Sequence, residues 1–324
     1  MLQNLLKGAF GMGLETFYAK VISPFLRTLP LGTRIDMALI AFHADLQFTD
    51  SIYSDSGNNR IFSDDEIEEL FRGMDPESIE LAQKFMHRQY RCPPNGFMIH
   101  PKYFYTQAEK DEYRKLYPDF RKALRKYHFS RNQTGPESLY YHHGLRFAPE
   151  YVRKNIAGKL FADVGGWWGD SAIVFTQYSP AKIIIFEPLE ENRRILVKNL
   201  DRNSVSPEAY QLQPFALSDF NGCENGMDLR TLDELSSGGS APFGVLKADI
   251  EGAGLHFLKG AQKTIRRDRP LLSLSIYHNE EEFAGIYQTL KSWDLDYHCE
   301  IKQFSPYTQH GEYSLFAYPA EWIE

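Results

Sequence analysis

Phe161-Ala162-Asp163-Val164-Gly165-Gly166-Trp167-Trp168-Gly169-Asp170-Ser171 reads as an apolar strand that stops at a glycine-rich turn and opens a helix. A turn of this kind places its own amides, and those of the first helical turn, at the carboxyl edge of a sheet. Asp163 falls at the strand's end, where a carboxylate can hold the ammonium of an amino-acid moiety, and the amides after it can receive a carboxylate or phosphate. An ordinary tight turn would carry the same glycines. The next strand, Lys182 to Phe186, ends in Glu187, roughly twenty residues past the loop, the spacing at which an acid meets ribose hydroxyls. Pro188 then reads as a first helical turn, where the helix dipole favours an acid whatever binds nearby.

The side chains of the loop narrow the choice of nucleoside. A dinucleotide fingerprint, G-x-G-x-x-G, needs its second glycine so that a pyrophosphate can approach the backbone. Counting from Gly165, the second and third positions are Trp167 and Asp170; counting from Gly166, they are Trp168 and Ser171. Both frames fail. What remains is D-x-G-x-x-x-G, with Asp163, Gly165 and Gly169, and a loop this bulky, with Asp170 adding negative charge, suits a cofactor without phosphates better than NAD.

Working outward, apolar strands alternate with amphipathic helices from about residue 159, as in a parallel sheet covered on both faces. The predicted strands are Leu160–Val164, Lys182–Phe186, Ala209–Phe215, Phe243–Ala248 and Leu271–Tyr277, with a closing pair near Tyr297–Phe304 and Tyr313–Tyr318. Thr231 with Glu234 reads as a capping box, and a helix is expected over Ile250–Arg267. Before about residue 140 the pattern is helical and irregular. Ser63 and Glu66 form a capping box, Asp75-Pro76 opens a second helix, and a third runs from Gln107 to Tyr127 with Pro118 kinking or splitting it. Lys115, Arg121, Lys122, Arg125 and Lys126 on that third helix read as a solvated face.

Composition excludes several classes. The 324 residues allow two ordinary domains, and a hydrophobic fraction of 43% with 24% charged residues is that of a soluble globular chain. Acids outnumber bases 43 to 36, for a net charge of -7, which disfavours nucleic acid and anionic membranes as partners. No run is long enough to span a bilayer, and Met1 to Gly13 lacks the marks of a secretory signal. Cys92, Cys223 and Cys299 are odd in number and widely spaced, which fits a reducing cytoplasm.

Beyond these readings, the chain resembles the FkbM-type S-adenosylmethionine-dependent methyltransferases over roughly residues 136 to 318. The resemblance is carried by Tyr140-Tyr141-His142-His143-Gly144-Leu145, the Asp163 to Ser171 loop, Phe186-Glu187-Pro188, Ala216-Leu217-Ser218-Asp219, Thr231-Leu232-Asp233 and, most diagnostically, Lys247-Ala248-Asp249-Ile250-Glu251-Gly252. It continues through Leu258-Lys259-Gly260-Ala261 and Arg269-Pro270 to Tyr277-His278. It implies a Rossmann-like α/β fold, the seven-stranded class I methyltransferase sheet of order 3-2-1-4-5-7-6 with the last strand antiparallel, behind a mainly helical N-terminal extension. Residues 1–135 would be that extension and shape the acceptor site; residues 136–324 would bind S-adenosyl-L-methionine. The implied reaction is methylation of a hydroxyl on a saccharide or secondary metabolite. Cofactor contacts are expected from Asp163, Gly165, Gly166, Trp167, Gly169, Asp170, Ser171, Glu187, Pro188, Ala216, Leu217, Asp219 and Asp249. The chain departs from the family at Ser275, where a glutamate is common in the fifth strand, and at Gly254, where a glutamate is frequent.

Methyl transfer to a hydroxyl requires alignment of acceptor, methyl and sulfur, and a base to take the proton. Asp249 and Glu251 end the fourth strand, where open α/β sheets place ligands, although Glu251 could equally cap the next helix. His278 is the first choice of base, on the expectation of a neutral imidazole, with a backbone-bonding role as its alternative; His143 and His142 come second. Lys247 reads as structural or ion-paired. Asp249 and Glu251 could hold a Mg²⁺ ion, but two oxygen side chains without a third evident ligand do not favour one. Trp167 and Trp168 could wall the site or pack in the core, and Tyr103, Phe104 and Tyr105 read as a pocket lining or a helix-packing surface. Two rival functions stay open: an NAD-dependent oxidoreductase, and a non-catalytic Rossmann-like module that binds a partner through its helical region.

Overall fold

The computed structural model describes residues 60–91, 106–129, 135–239, 241–305 and 312–323, together with a two-residue antiparallel pair, Gln47–Phe48 and Met98–Ile99. Cys92 and Tyr103 to Tyr105 lie outside the described residues.

Seven strands form the central sheet: β1 Leu160–Val164, β2 Lys182–Phe186, β3 Tyr210–Gln213, β4 Phe243–Ala248, β5 Leu271–Ser275, β6 Tyr297–Gln303 and β7 Tyr313–Pro319. Their order is β3-β2-β1-β4-β5-β7-β6, and β7 runs antiparallel to both its neighbours. This is the order that the resemblance implies. The first, second and fourth strands have the predicted ends. The third and fifth are shorter, ending at Gln213 and Ser275, so His278 lies in the loop beyond β5 rather than on the strand.

Alternation along these strands divides the core in two. Ala162, Val164, Leu246, Ala248, Leu272 and Leu274 face one layer; Phe161, Ile183, Ile185, Val245 and Leu271 face the other. The helices follow suit. The first layer takes α1 Asp64–Leu70 and α2 Pro76–Arg91, and the second takes α3 Gln107–Lys126, α4 Glu150–Ile156, α5 Asp170–Phe175 and α6 Glu190–Arg202. The first layer is completed by α7 Gly254–Gly260, α8 Gln262–Asp268 and α9 Glu280–Ser292. Phe283 of α9 is its hub, with Phe62, Phe71 and Phe85 at ring distances of 5.8, 5.2 and 5.3 Å. Residues 60–91 therefore share one core with the sheet.

Local expectations meet several corrections. The Ser63–Glu66 capping box is complete, but at Thr231 only half of the second box forms, because Asn221 Oδ1 accepts the Thr231 N–H that Glu234 was expected to take. Pro188 precedes its helix, which starts at Glu190. The helix expected over Ile250–Arg267 starts at Gly254, since Glu251 and Gly252 have φ of +54° and +102°, and it is interrupted at Ala261. Helix α3 passes through Pro118 unbroken; Pro118 is exposed, so water can meet the carbonyl its ring leaves unbonded. Tyr113, Leu116 and Phe120 form the buried stripe of α3, and its five basic side chains are exposed as expected. A small sheet of Ala216–Leu217, Gly222–Glu224 and Met227–Arg230 was not foreseen. Among the described residues no helix is long and apolar enough to cross a membrane.

Candidate active site

The carboxyl ends of β1, β2, β4 and β5 meet at one edge of the sheet, and the loop after β1 sits on top of them. Gly165 and Gly166 both donate their amides to Phe186 O, at 3.0 and 3.1 Å, while Asp249 N donates to Val164 O at 3.1 Å. This closeness explains Gly165: its φ is +78°, and a Cβ there would lie 2.1 Å from Asp249 O. Gly169, at φ +83°, is the residue before α5. Trp167 holds φ +38° in spite of its bulk and stacks on Trp168 at 4.5 Å, while Trp168 Nε1 donates to Asn192 Oδ1. Asp170 and Ser171, at the start of α5, are both buried, and burial raises the Asp170 carboxyl above the ordinary range.

One rung below the loop, a polar row crosses the buried sheet. Asp163, Lys247 and Ser273 are register partners on adjacent strands, so their side chains share one face. Lys247 Nζ lies 3.0 Å from Asp163 Oδ1 and donates to Gly165 O at 2.9 Å; Ser273 Oγ donates to His143 O at 2.9 Å. Burial pushes Asp163 up to about 6, and the Lys247 ammonium opposes that shift. Lys247 thus stands where an ammonium was expected to meet Asp163, and it anchors the loop's carbonyl as well.

Glu187 is 4% exposed and grips the same loop. Its Oε2 accepts from Trp167 N at 2.9 Å, and its Oε1 from Leu189 N at 2.9 Å and Asn192 Nδ2 at 3.3 Å. A carboxylate has about four lone-pair sites, so one on Oε2 is left for a ligand hydroxyl. Pro188 follows directly, and its carbonyl accepts from Arg193. Ala216 and Leu217 pair with Leu229 and Arg230, and Leu217 is buried. Asp219 Oδ2 lies 3.1 Å from His256 Nδ1 on α7.

On the β4–β5 side, Asp249, Tyr277 and His278 form a cluster. Tyr277 OH reaches Asp249 Oδ1 at 3.3 Å, and His278 Nε2 lies 3.2 Å from the same oxygen. His278 Nδ1 is 2.7 Å from Glu282 Oε2, with Glu282 wholly buried on α9. Burial opposes a charge on His278, yet the two carboxylates outweigh it and push the ring up to about 11. The neutral imidazole expected here is therefore an imidazolium at neutral pH, and it cannot accept a proton. Burial would raise Asp249, but His278 and Lys247 hold it well below the usual carboxylate range. Glu251 is exposed, its side chain at 84%, and lies 3.9 Å from His278 Nε2.

The other histidines behave in the opposite way. Burial brings His143 down to about 3 and His142 to about 4, so both are neutral. His143 Nε2 bonds Ser171 Oγ at 2.8 Å, and His142 Nδ1 bonds Tyr178 OH at 2.6 Å. His143 faces the site from a turn in which His142, His143 and Gly144 all have positive φ.

Two acids that carry no sequence motif complete the cluster. Glu312, just before β7, hydrogen-bonds Tyr277, and burial together with Asp249 pushes it up to about 7. Burial and the Glu312 charge push Glu137 well above the carboxylate range. Among the described residues, no group of three His, Cys, Asp or Glu side chains is arranged to hold a metal ion.

Residues 161–299 match the family model described as the methyltransferase FkbM domain. No curated protein matches the chain in sequence. A crystal structure of an FkbM methyltransferase from Methylobacillus flagellatus superposes with a TM-score of 0.55 at 18% identity, covering 78% of this chain and 58% of that one. The present chain thus spans little more than half the length of that protein, and the likeness is one of fold. An O-methyltransferase from Bacillus cereus, solved with SAH, is more distant, with a TM-score of 0.43 at 11% identity over 66% of this chain and 92% of that one. The β3-β2-β1-β4-β5-β7-β6 sheet, the loop above β1 and the matched segment agree: residues 161–299 are an FkbM methyltransferase domain.

Proposed function

We propose that this domain transfers the methyl group of S-adenosylmethionine to a hydroxyl of a saccharide or secondary metabolite. The observation that carries the reading is the junction of the loop with Glu187: the Trp167 amide is pinned to a carboxylate that keeps one lone pair for a ribose hydroxyl. The steric fit agrees. Trp167 and Asp170 occupy the fingerprint positions a pyrophosphate would need open, which speaks against NAD and for a nucleoside without phosphates. When bound, S-adenosylmethionine supplies the methyl group on a sulfonium. The protein's own part is to align the acceptor, exclude water and move one proton.

Gly165, Gly166, Trp167, Gly169 and Glu187 are the residues we assign to the cofactor, and Asp249 stands between cofactor and acceptor. Held ionised by His278, Asp249 accepts a hydrogen bond and orients the acceptor but is too weak a base to deprotonate it. Glu312 is the proton acceptor in this reading, since it bonds Tyr277 beside Asp249 and titrates near neutrality. The Glu312 charge helps to raise the Glu137 carboxyl, so ionisation of the two acids is mutually opposed. Residues 1–135 shape the acceptor side and residues 136–324 form the transfer domain; the protein acts in the cytoplasm.

Calorimetry with S-adenosylhomocysteine and NAD tests the cofactor. Binding of NAD without S-adenosylhomocysteine at millimolar concentration would overturn the assignment. For the proton acceptor, Glu312→Gln is expected to lower kcat about a hundredfold or more with S-adenosylhomocysteine affinity unchanged. An unaltered kcat removes Glu312 from the mechanism.

A further inference from the structure

We infer that Glu282 is a positioning residue: it fills the space left by the absent side chain at Gly254 and holds His278 as an imidazolium whose other nitrogen faces Asp249. This deepens the proposed function, since it rests on Asp249 lying at the acceptor.

Glu282 is a charged side chain with no exposed surface, set in the first turn of α9. A buried carboxylate is costly unless its oxygens are bonded, and both are. Oε2 lies 2.7 Å from His278 Nδ1, and Oε1 accepts from Gly254 N at 2.8 Å. Asn279 secures the arrangement, its Oδ1 accepting from Glu282 N at 2.8 Å and its Nδ2 donating to Gly252 O at 2.9 Å. One carboxylate thereby joins the loop after β5 to the turn after β4, the two segments that carry His278 and Asp249.

Space accounts for the glycine at 254. A Cβ there would lie 2.8 Å from Glu282 Oε1, 3.4 Å from its Cδ and 3.3 Å from Ile286 Cδ1. The backbone at Gly254 is not left-handed, so crowding rather than conformation excludes a side chain.

Charge follows from geometry. A neutral imidazole would turn a lone pair on one of the two carboxylates; the protonated ring bonds Glu282 through Nδ1 and sets its positive Nε2 3.2 Å from Asp249, a charge contact without hydrogen-bond geometry. Among the described residues, the titratable groups facing the ring are Asp249 at 3.2 Å, Glu251 at 3.9 Å, Glu282 at 2.7 Å, the Tyr277 ring at 4.1 Å, and Glu312 just before β7. Every one is acidic or neutral. The imidazolium keeps Asp249 ionised and aimed, and Glu282 keeps the imidazolium in place.

Relocating the carboxylate tests this. Ring-15N-labelled protein should show His278 doubly protonated past pH 9. In Glu282→Gln, whose amide oxygen can still accept from Gly254 N, the ring should titrate between about pH 7 and 9. Glu282→Ala should behave similarly, and Gly254→Glu alone should lower the melting temperature by crowding Glu282. The double variant Gly254→Glu with Glu282→Ala should return His278 to the charged state at pH 9, because the carboxylate has only changed its helix. A wild-type ring titrating near 6.5, a Glu282→Gln ring still charged at pH 9, or a double variant no different from Glu282→Ala would each overturn the inference. Should the double variant fail to fold, Glu282→Gln decides alone. Failure of S-adenosylhomocysteine to bind the wild-type protein would instead remove the functional reading, and the ring titration distinguishes the two.

Discussion

Two halves of the candidate site share one edge of one sheet and are built in different ways. Above β1 and β2 the parts are nearly contiguous in sequence: the turn from Asp163 to Ser171, closed by Glu187, with backbone amides as its main donors. Around β4 and β5 the parts come from five separate segments, carrying Glu137, His143, Asp249, His278 with Glu282, and Glu312, and charged side chains do the work. Backbone geometry constrains the first half, and mutual electrostatics constrain the second. Substitutions in the first should therefore act mainly through sterics and lost anchoring, and those in the second through protonation.

The largest effect is expected where the two halves join, at Lys247. Its ammonium is buried against Asp163 and Gly165 O, so Lys247→Met strands a buried carboxylate and frees the loop. Breaking such a pair costs about 3–5 kcal/mol, whereas replacing both members with apolar residues is often neutral. Denaturant unfolding of Lys247→Met, and of Lys247→Met combined with Asp163→Leu, checks this. A loss under about 1 kcal/mol in the single variant would mean that the polar row does not hold the two halves together.

A pH-dependent effect separates the halves. His278 is held near 11 in the fold against an ordinary value of 6.5, so its contribution to stability is fully present below about pH 6.5. As pH rises above that value the unfolded chain loses the proton while the folded protein keeps it, and the contribution declines until about 11. The melting temperature of the wild-type protein should fall between pH 7 and 10 more steeply than that of His278→Gln. Parallel slopes would show that the ring is not charged in the fold, and the electrostatic half of the comparison would fail.

The same contrast explains what could be read from the chain. Three of the five parallel strands have the expected ends, because largely buried strands such as Lys182–Phe186 are short apolar runs with sharp polar stops. The Gly165 turn was legible for a related reason: a glycine needed for close approach leaves a mark at its own position. Protonation states leave no such mark. His278 and His143 look alike in sequence, yet two carboxylates charge one and burial neutralises the other, so the neutral imidazole expected at 278 is found at 143 instead. Glu137 and Glu312 went unnoticed because nothing near either in the chain distinguishes it from an ordinary loop acid.

The smallest effect, and the sharpest for the cofactor half, is expected at Trp167. Its left-handed backbone is one that glycine adopts without strain, so Trp167→Gly relieves about 1–3 kcal/mol. The same change removes the stack on Trp168, worth about 0.5–1.5 kcal/mol, and leaves a less ordered chain to fold. These terms oppose one another, and thermal melts should move by only a few degrees. If the loop were a dinucleotide fingerprint blocked by one side chain, the variant would open the second glycine position and bind NAD. It should not, because Asp170 still holds the third position of that frame and sets a carboxylate where a pyrophosphate would add two negative charges. Glu187 keeps its bond to the amide at 167 whatever side chain is there, so S-adenosylhomocysteine binding should weaken without vanishing. NAD binding gained by Trp167→Gly would show that a side chain, rather than the course of the backbone, decides what this loop holds.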